Sequence, residues 1–297
     1  MVVNAKTGLY AILGDPISQA MSPVIMNRAF VRAGLDNVFL ALKCGRDDVD
    51  LVLPALRKID LKGYVFTMPI KELAAEYLDE LRDEALITGA VNCVENRQGT
   101  LIGHNTDSLG SWTAILEKVE DPQAIKHMFV LGMGGFSKAA VCQAALQGVR
   151  EFTVCNRAEE TEVWASFRAF LERLAEQAPD LSVRLLPWRP EGWAEALSSA
   201  DVIVNATPNG LGGAGDLHEI LPYDAVKPGA LFFDALYSPL PTAFLAEAER
   251  RGHNIVDGLD LLAHQGILSF RIWTGTEVAP LQMKRDALEF LAARQSG

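Results

Sequence analysis

The stretch VFTMPIKE, residues 65 to 72, runs from an apolar, β-like segment through a proline to Lys71. A lysine delivered there is either a solvated residue at the start of a helix or an ammonium aimed into a cleft. In a cleft it can give or take the proton of a substrate hydroxyl. Asn92 in GAVNCV and Asp107 in GHNTDS also follow apolar runs. Taken singly each reads as a turn residue, because Asn and Asp are common wherever strands end. Ser22 precedes Pro23 in SPVIMNRAF, the pattern of a helix N-cap with proline at the first helical position. The same helix end would offer free N–H groups and a partial positive charge to an anion. Gln265 in LLAHQGILSF is a polar residue on an amphipathic helix, either filling a packing defect or facing a ligand, and His264 beside it reads as solvated or internally satisfied.

A second kind of chemistry is suggested by VLGMGGFSKAA, where Gly132, Gly134 and Gly135 lie in a turn from strand to helix and Ser137 stands at the third glycine position of the dinucleotide fingerprint. Glycines there allow the tight turn and let backbone N–H groups approach a pyrophosphate. Turns of this kind also occur with no ligand, so context decides. The following strand ends in CNRAEE, at Asn156 and Arg157. A carboxylate at that strand end would bind the ribose hydroxyls of NAD, whereas an arginine favours the 2′-phosphate of NADP. Glu159 and Glu160 would oppose a phosphate, and a surface arginine at a helix start is the other reading of Arg157.

These residues need elements to hold them. Short apolar runs alternate with helical patterns along the chain, LYAILG with SPVIMNRAFVRAG, NVFLALKC with DDVDLVLPALRKI, and GYVFTM with KELAAEYLDEL. Such alternation predicts an α/β fold with mainly parallel strands. A second series of strands and helices starts near His127, in the order of a dinucleotide-type sheet, and two helices follow Gly258. The expected organisation is a substrate domain over residues 1–106, completed by 258–297, and a Rossmann-like domain over 107–257.

The chain has 297 residues, with 27 basic against 38 acidic side chains and a net charge of −11. Its basic residues are scattered, which argues against nucleic acid as a partner. Cys44, Cys93, Cys142 and Cys155 form no CxxC pair and have no histidine at metal spacing. They read as reduced, mostly buried thiols, and no metal is expected. The amino terminus lacks a leader pattern, and no apolar run approaches the roughly 18 residues of a membrane span. A cytoplasmic protein, monomer or homodimer, with a small-molecule substrate is expected.

GDPISQAMSP, TMPIKE, GAVNC, GHNTD, LGMGG, CNR, NATPNG, DALYSPLPTAFL and DGLDLLAHQGILSFRIWTG occur together and in this order. From about Leu9 to Gly275 the chain thereby resembles the shikimate dehydrogenase family, which includes shikimate and quinate dehydrogenases. The resemblance implies that Lys71 and Asp107 form the catalytic pair. It implies substrate contacts from Ser22, Thr67, Asn92 and Gln265, with Tyr237 approaching both substrate and nicotinamide. For the cofactor it implies Gly132, Gly134, Gly135, Asn156, Arg157, Asn205, Ala206, Thr207 and Gly258. The chain also departs from the family. Ala20 stands where members have a second carboxylate-binding hydroxyl, and Ala158 and Thr161 follow Arg157 where a threonine and a second base are common. The implied activity is hydride transfer between NADP(H), or NAD(H), and a hydroxylated cyclohexene carboxylate, with shikimate and 3-dehydroshikimate leading. The alternatives are an NAD-dependent quinate dehydrogenase and a non-catalytic ligand sensor.

Overall fold

A computed structural model describes residues 2 to 295. The chain divides into two units, Met1–Gly110 with Leu262–Gly297, and Ser111–Leu261. The first unit contains β1 (Gly8–Gly14), α1 (Ser22–Arg32), β2 (Asn37–Lys43), α2 (Val49–Leu56), β3 (Leu61–Phe66), β4 (Glu80–Leu81), α3 (Asp83–Thr88), β5 (Cys93–Arg97) and β6 (Thr100–His104). The helix α4 (Thr106–Leu116) follows. Its strands lie in the order β2-β1-β3-β5-β6-β4. The sheet is mixed: β1 runs parallel to β2 and β3, while β5 is antiparallel to both β3 and β6. The two residues joining β5 to β6, Gln98 and Gly99, have φ of 55° and 96°. A two-residue loop with both φ positive closes a hairpin whose twist matches its strands.

Two local expectations are corrected here. Ser22 is the first residue of α1 and not its cap: Met21 already has helical angles (φ −91°, ψ −12°), and its carbonyl accepts from Val24 N and Ile25 N. The segment KELAAEYLDEL is not a helix but a series of turns, a short 3-10 segment at Ala74–Tyr77 and the strand β4. The Lys71 carbonyl, which an α-helix would give to an amide four residues on, instead accepts from Val91 N at 2.8 Å.

The second unit contains β7 (His127–Leu131), α5 (Gly135–Leu146), β8 (Glu151–Asn156), α6 (Thr161–Gln177), β9 (Ser182–Pro187), the single turn α7 (Ala194–Leu197), β10 (Val202–Asn205), the single turn α8 (Leu217–Ile220), β11 (Leu231–Asp234), α9 (Ala243–Arg250) and β12 (Asn254–Val256). The order β12-β11-β10-β7-β8-β9 is parallel throughout. This is the Rossmann arrangement, with the strand order reversing between β7 and β10. Every residue of β7, β10 and β11 is buried, as expected of strands covered on both faces.

The helices α10 (Gly258–Thr274) and α11 (Pro280–Gln295) end the chain. Within the first unit, Phe270 packs on Phe30 at 5.3 Å and Trp273 on Tyr10 at 5.1 Å between ring centroids. Trp273 Nε1 also donates to the Val94 carbonyl at 2.9 Å, which fixes α10 against the sheet. All four cysteines are buried, and no disulfide joins them. No helix among the described residues is long and apolar enough to cross a membrane.

Candidate active site

In the first unit the pairing of β3 continues past the strand: Phe66 N donates to the Asn92 carbonyl at 2.8 Å and Thr67 N to the Leu13 carbonyl at 2.9 Å. The chain then turns, with Ile70 N on the Thr67 carbonyl, and the Val91 amide holds the Lys71 backbone. From that anchor Lys71 Nζ reaches Asp107 Oδ2 at 2.5 Å. The lysine side chain is 21% exposed and the aspartate 7%. Asp107 lies in the first turn of α4, where unpaired N–H groups and the positive end of the helix dipole favour a carboxylate.

Asn92 sets where α4 begins. Its Oδ1 accepts from Thr106 N at 2.7 Å and from Thr106 Oγ1 at 3.2 Å, and its Nδ2 donates to Thr106 Oγ1 at 2.9 Å. Thr106 Oγ1 also lies 3.1 Å from Ser269 Oγ, and that serine donates to the Gln265 carbonyl at 3.0 Å. The Gln265 side chain is buried and its Nε2 donates to the Leu262 carbonyl. At Gly110 a Cβ would come within 2.9 Å of Gln265 N, so only glycine lets α4 approach α10 at this point. Lys71, Asp107, Asn92 and Gln265 are thus brought onto one continuous set of contacts. Ser22, buried at the start of α1, and the half-buried Thr67 make no hydrogen bond to the Lys71–Asp107 pair. Burial pushes the Cys93 thiol, beside Ser269, up to about 12, so it stays protonated and is no nucleophile.

Thr106 and Ser269 are the members of this site that the sequence reading passed over. Thr106 stands between two residues of the NTD triplet. Ser269 is one helical turn after Gln265 on the same face of α10, a spacing that could have singled it out.

In the second unit, Gly132 follows β7 with φ of +102°, and a Cβ there would meet the Ala206 carbonyl oxygen at 2.9 Å and Thr207 Cγ2 at 3.0 Å. The loops after β7 and β10 therefore touch at the point where strand order reverses. Gly134 is the flanking residue of α5; a Cβ there would meet nothing within 4 Å, and the first turn, beginning at Gly135, carries no acidic residue. An open helix N-terminus without acidic side chains fits a pyrophosphate.

The remaining positions are less open. Asn205 Nδ2 donates to the Asn209 carbonyl and to Asp234 Oδ1, and its Oδ1 accepts from Thr207 N and Oγ1, so its amide braces the loop. Gly258 N donates to the Leu236 carbonyl at 3.1 Å, and Tyr237 follows half-buried in that loop. At the end of β8, Asn156 Nδ2 donates to Glu160 Oε2 at 2.9 Å, and Glu160 Oε1 takes the Arg157 guanidinium in an ion pair. Asp234, fully buried beneath Leu236, has its carboxyl pushed up to about 6 by burial.

Comparison with known proteins gives family matches over two stretches of the chain. Residues 12–94 match the shikimate dehydrogenase substrate binding domain, and residues 258–287 the shikimate 5′-dehydrogenase C-terminal domain. The chain is 30% identical over 295 residues to a shikimate dehydrogenase (NADP(+)) of Desulforamulus reducens, covering 98% of each protein. The chain belongs to the shikimate dehydrogenase family. It is also 32% identical to a quinate/shikimate dehydrogenase of Escherichia coli, over 98% of this chain and 99% of that protein. Among solved structures, shikimate 5-dehydrogenase of Listeria monocytogenes, in complex with shikimate and NAD, superposes with a TM-score of 0.82 at 32% identity, covering 95% of this chain and 97% of the other. As a member of the shikimate dehydrogenase family the chain is an NAD(P)-dependent oxidoreductase acting on CH–OH groups.

Proposed function

We propose that the chain interconverts shikimate and 3-dehydroshikimate, with NADP(H) as the leading cofactor, and that Lys71 and Asp107 are its proton-transfer pair. The observation that carries this is the 2.5 Å contact between Lys71 Nζ and Asp107 Oδ2 on two separately anchored backbones. Oxidising a secondary alcohol requires a hydride to leave the carbon and a proton to leave the hydroxyl. A nicotinamide dinucleotide, when bound, supplies or accepts the hydride. In its neutral amine form Lys71 Nζ accepts the hydroxyl proton in oxidation, and as the ammonium it returns that proton to the ketone oxygen in reduction. Asp107 holds that nitrogen in place and accepts a hydrogen bond from the neighbouring substrate hydroxyl. Thr67, Asn92 and Gln265 orient the ring, and Ser22 with the α1 terminus takes the carboxylate. Gly132, Gly134, Gly135 and the Ala206–Thr207 turn provide the pyrophosphate cradle, and Tyr237 serves the nicotinamide end of the cofactor.

A second reading, quinate oxidation with NAD, is favoured on the cofactor side by Glu160 on Arg157. Steady-state kinetics with shikimate and quinate, each with NAD and NADP, test the proposal. The highest kcat/KM is expected for shikimate with NADP. Saturable binding of these acids with no turnover in any combination would make the chain a ligand sensor and overturn it.

A further inference from the structure

At the end of β8 the arginine expected to read a 2′-phosphate is already paired. Arg157, with its side chain 62% exposed, contacts Glu160, whose side chain is 30% exposed. The same carboxylate accepts from Asn156 Nδ2 at 2.9 Å, and Asn156 is buried as the last residue of the strand. The backbone keeps this arrangement short. Glu160 N donates to the Arg157 carbonyl at 3.3 Å, and Trp164 Nε1 donates to that carbonyl at 2.8 Å. Glu160 is the residue immediately before the 17-residue α6, and its side chain makes no capping hydrogen bond to that helix.

From this we infer that Glu160 sets the choice between NADP and NAD by holding Arg157. The inference rests on the proposed dinucleotide role of the second unit. In a Rossmann sheet the adenosine ribose is read at this strand end, a carboxylate receiving the 2′-hydroxyl of NAD and an arginine the 2′-phosphate of NADP. Here one loop presents both groups, bound to each other. A 2′-phosphate must displace the carboxylate from Arg157 and then lie beside it, which like-charge repulsion opposes. A 2′-hydroxyl can donate to the carboxylate without breaking the pair. Thr161, where a second base would share the phosphate, adds no charge. Glu160 therefore lowers the preference for NADP that Arg157 alone would give.

The test is calorimetric titration of the full chain, as wild type, Glu160→Gln, Arg157→Ala and the double variant, with NADP+, NAD+ and adenosine 2′,5′-bisphosphate. Glutamine keeps an acceptor for Asn156 and removes the charge. Glu160→Gln should tighten NADP+ and the bisphosphate roughly 3- to 10-fold, the scale of releasing an exposed ion pair and its repulsion, while NAD+ changes less than about 3-fold. In the Arg157→Ala background that gain should shrink to the smaller part that relief of the repulsion alone gives. An unchanged ratio of NADP+ to NAD+ affinity in Glu160→Gln, or an equal gain without Arg157, would overturn the assignment. Absence of binding by every form would overturn it together with the dinucleotide role. The expected ratios without turnover of any hydroxy acid would overturn the proposed reaction and leave Glu160 in place.

Discussion

Lys71 and Asp107 are 36 residues apart in the chain, and their side chains meet at 2.5 Å. Two consecutive residues hold both partners. Val91 N fixes the Lys71 carbonyl, and the Asn92 side chain fixes Thr106, the residue before Asp107. The geometry of the pair thus depends on the buried bend that leads into β5, and not on either charged residue's own element.

Asn92→Ala should separate this bracing from direct contact with substrate. It leaves the buried Thr106 N without its acceptor and Thr106 Oγ1 with Ser269 alone, which should cost about 1–3 kcal/mol in denaturant unfolding. It should also lower kcat by about tenfold or more, because misplacing a catalytic group costs rate even where binding survives. Unchanged stability in the variant would remove the bracing role.

Asp107→Asn should reduce kcat by roughly 10²-fold, the scale for disabling an acid–base group. Combined with Lys71→Met it should cost little more than either change alone, since residues acting as one unit are strongly non-additive. Additive losses in the double variant would mean that the two residues act separately.

Ala20→Ser tests the departure at the carboxylate loop. A restored hydroxyl can donate a charge-assisted hydrogen bond, so KM for shikimate should fall about tenfold or more with little change in kcat. Tight shikimate binding by the wild type, with no gain from the serine, would show that this loop has not been retuned.

Asp234 predicts a pH dependence of stability. Its folded carboxyl is raised by burial from 3.8 to about 6, despite hydrogen bonds from Thr242, Leu236 N and Asn205. A raised folded value gives stability that is complete below the unfolded value and lost as pH rises through the folded one. Between about pH 4 and pH 6 the wild type should lose up to about 3 kcal/mol from this group, a loss that Asp234→Asn should not share. The stability difference between the two proteins, followed by denaturant unfolding from pH 4 to pH 7, should therefore move in favour of the variant. A constant difference would contradict this origin.

Much of the second unit was legible in the sequence, because parallel strands buried on both faces read as continuous apolar runs, such as HMFVL and LFFD. The first sheet was harder. KELAAEYLDEL has helical spacing, but a long-range bond from Val91 takes the Lys71 carbonyl, and local periodicity carries no trace of that partner. The hairpin of β5 and β6 was missed, although Gln98–Gly99 between two strand-like runs is a turn signal. Single residues could be named from motif order, but their partners could not. Asn92 was an expected substrate contact, and its amide is bonded to Thr106. Arg157 was an expected phosphate contact, and it is bonded to Glu160.

The most direct test of the catalytic assignment is the kcat of Lys71→Met with shikimate and NADP+, measured beside wild type at saturating substrate. Methionine keeps the length of the side chain and removes the proton-carrying nitrogen. A fall of about 10²-fold or more is expected, in a protein whose unfolding transition is retained. A kcat equal to that of the wild type would contradict it and make Lys71 a structural partner of Asp107.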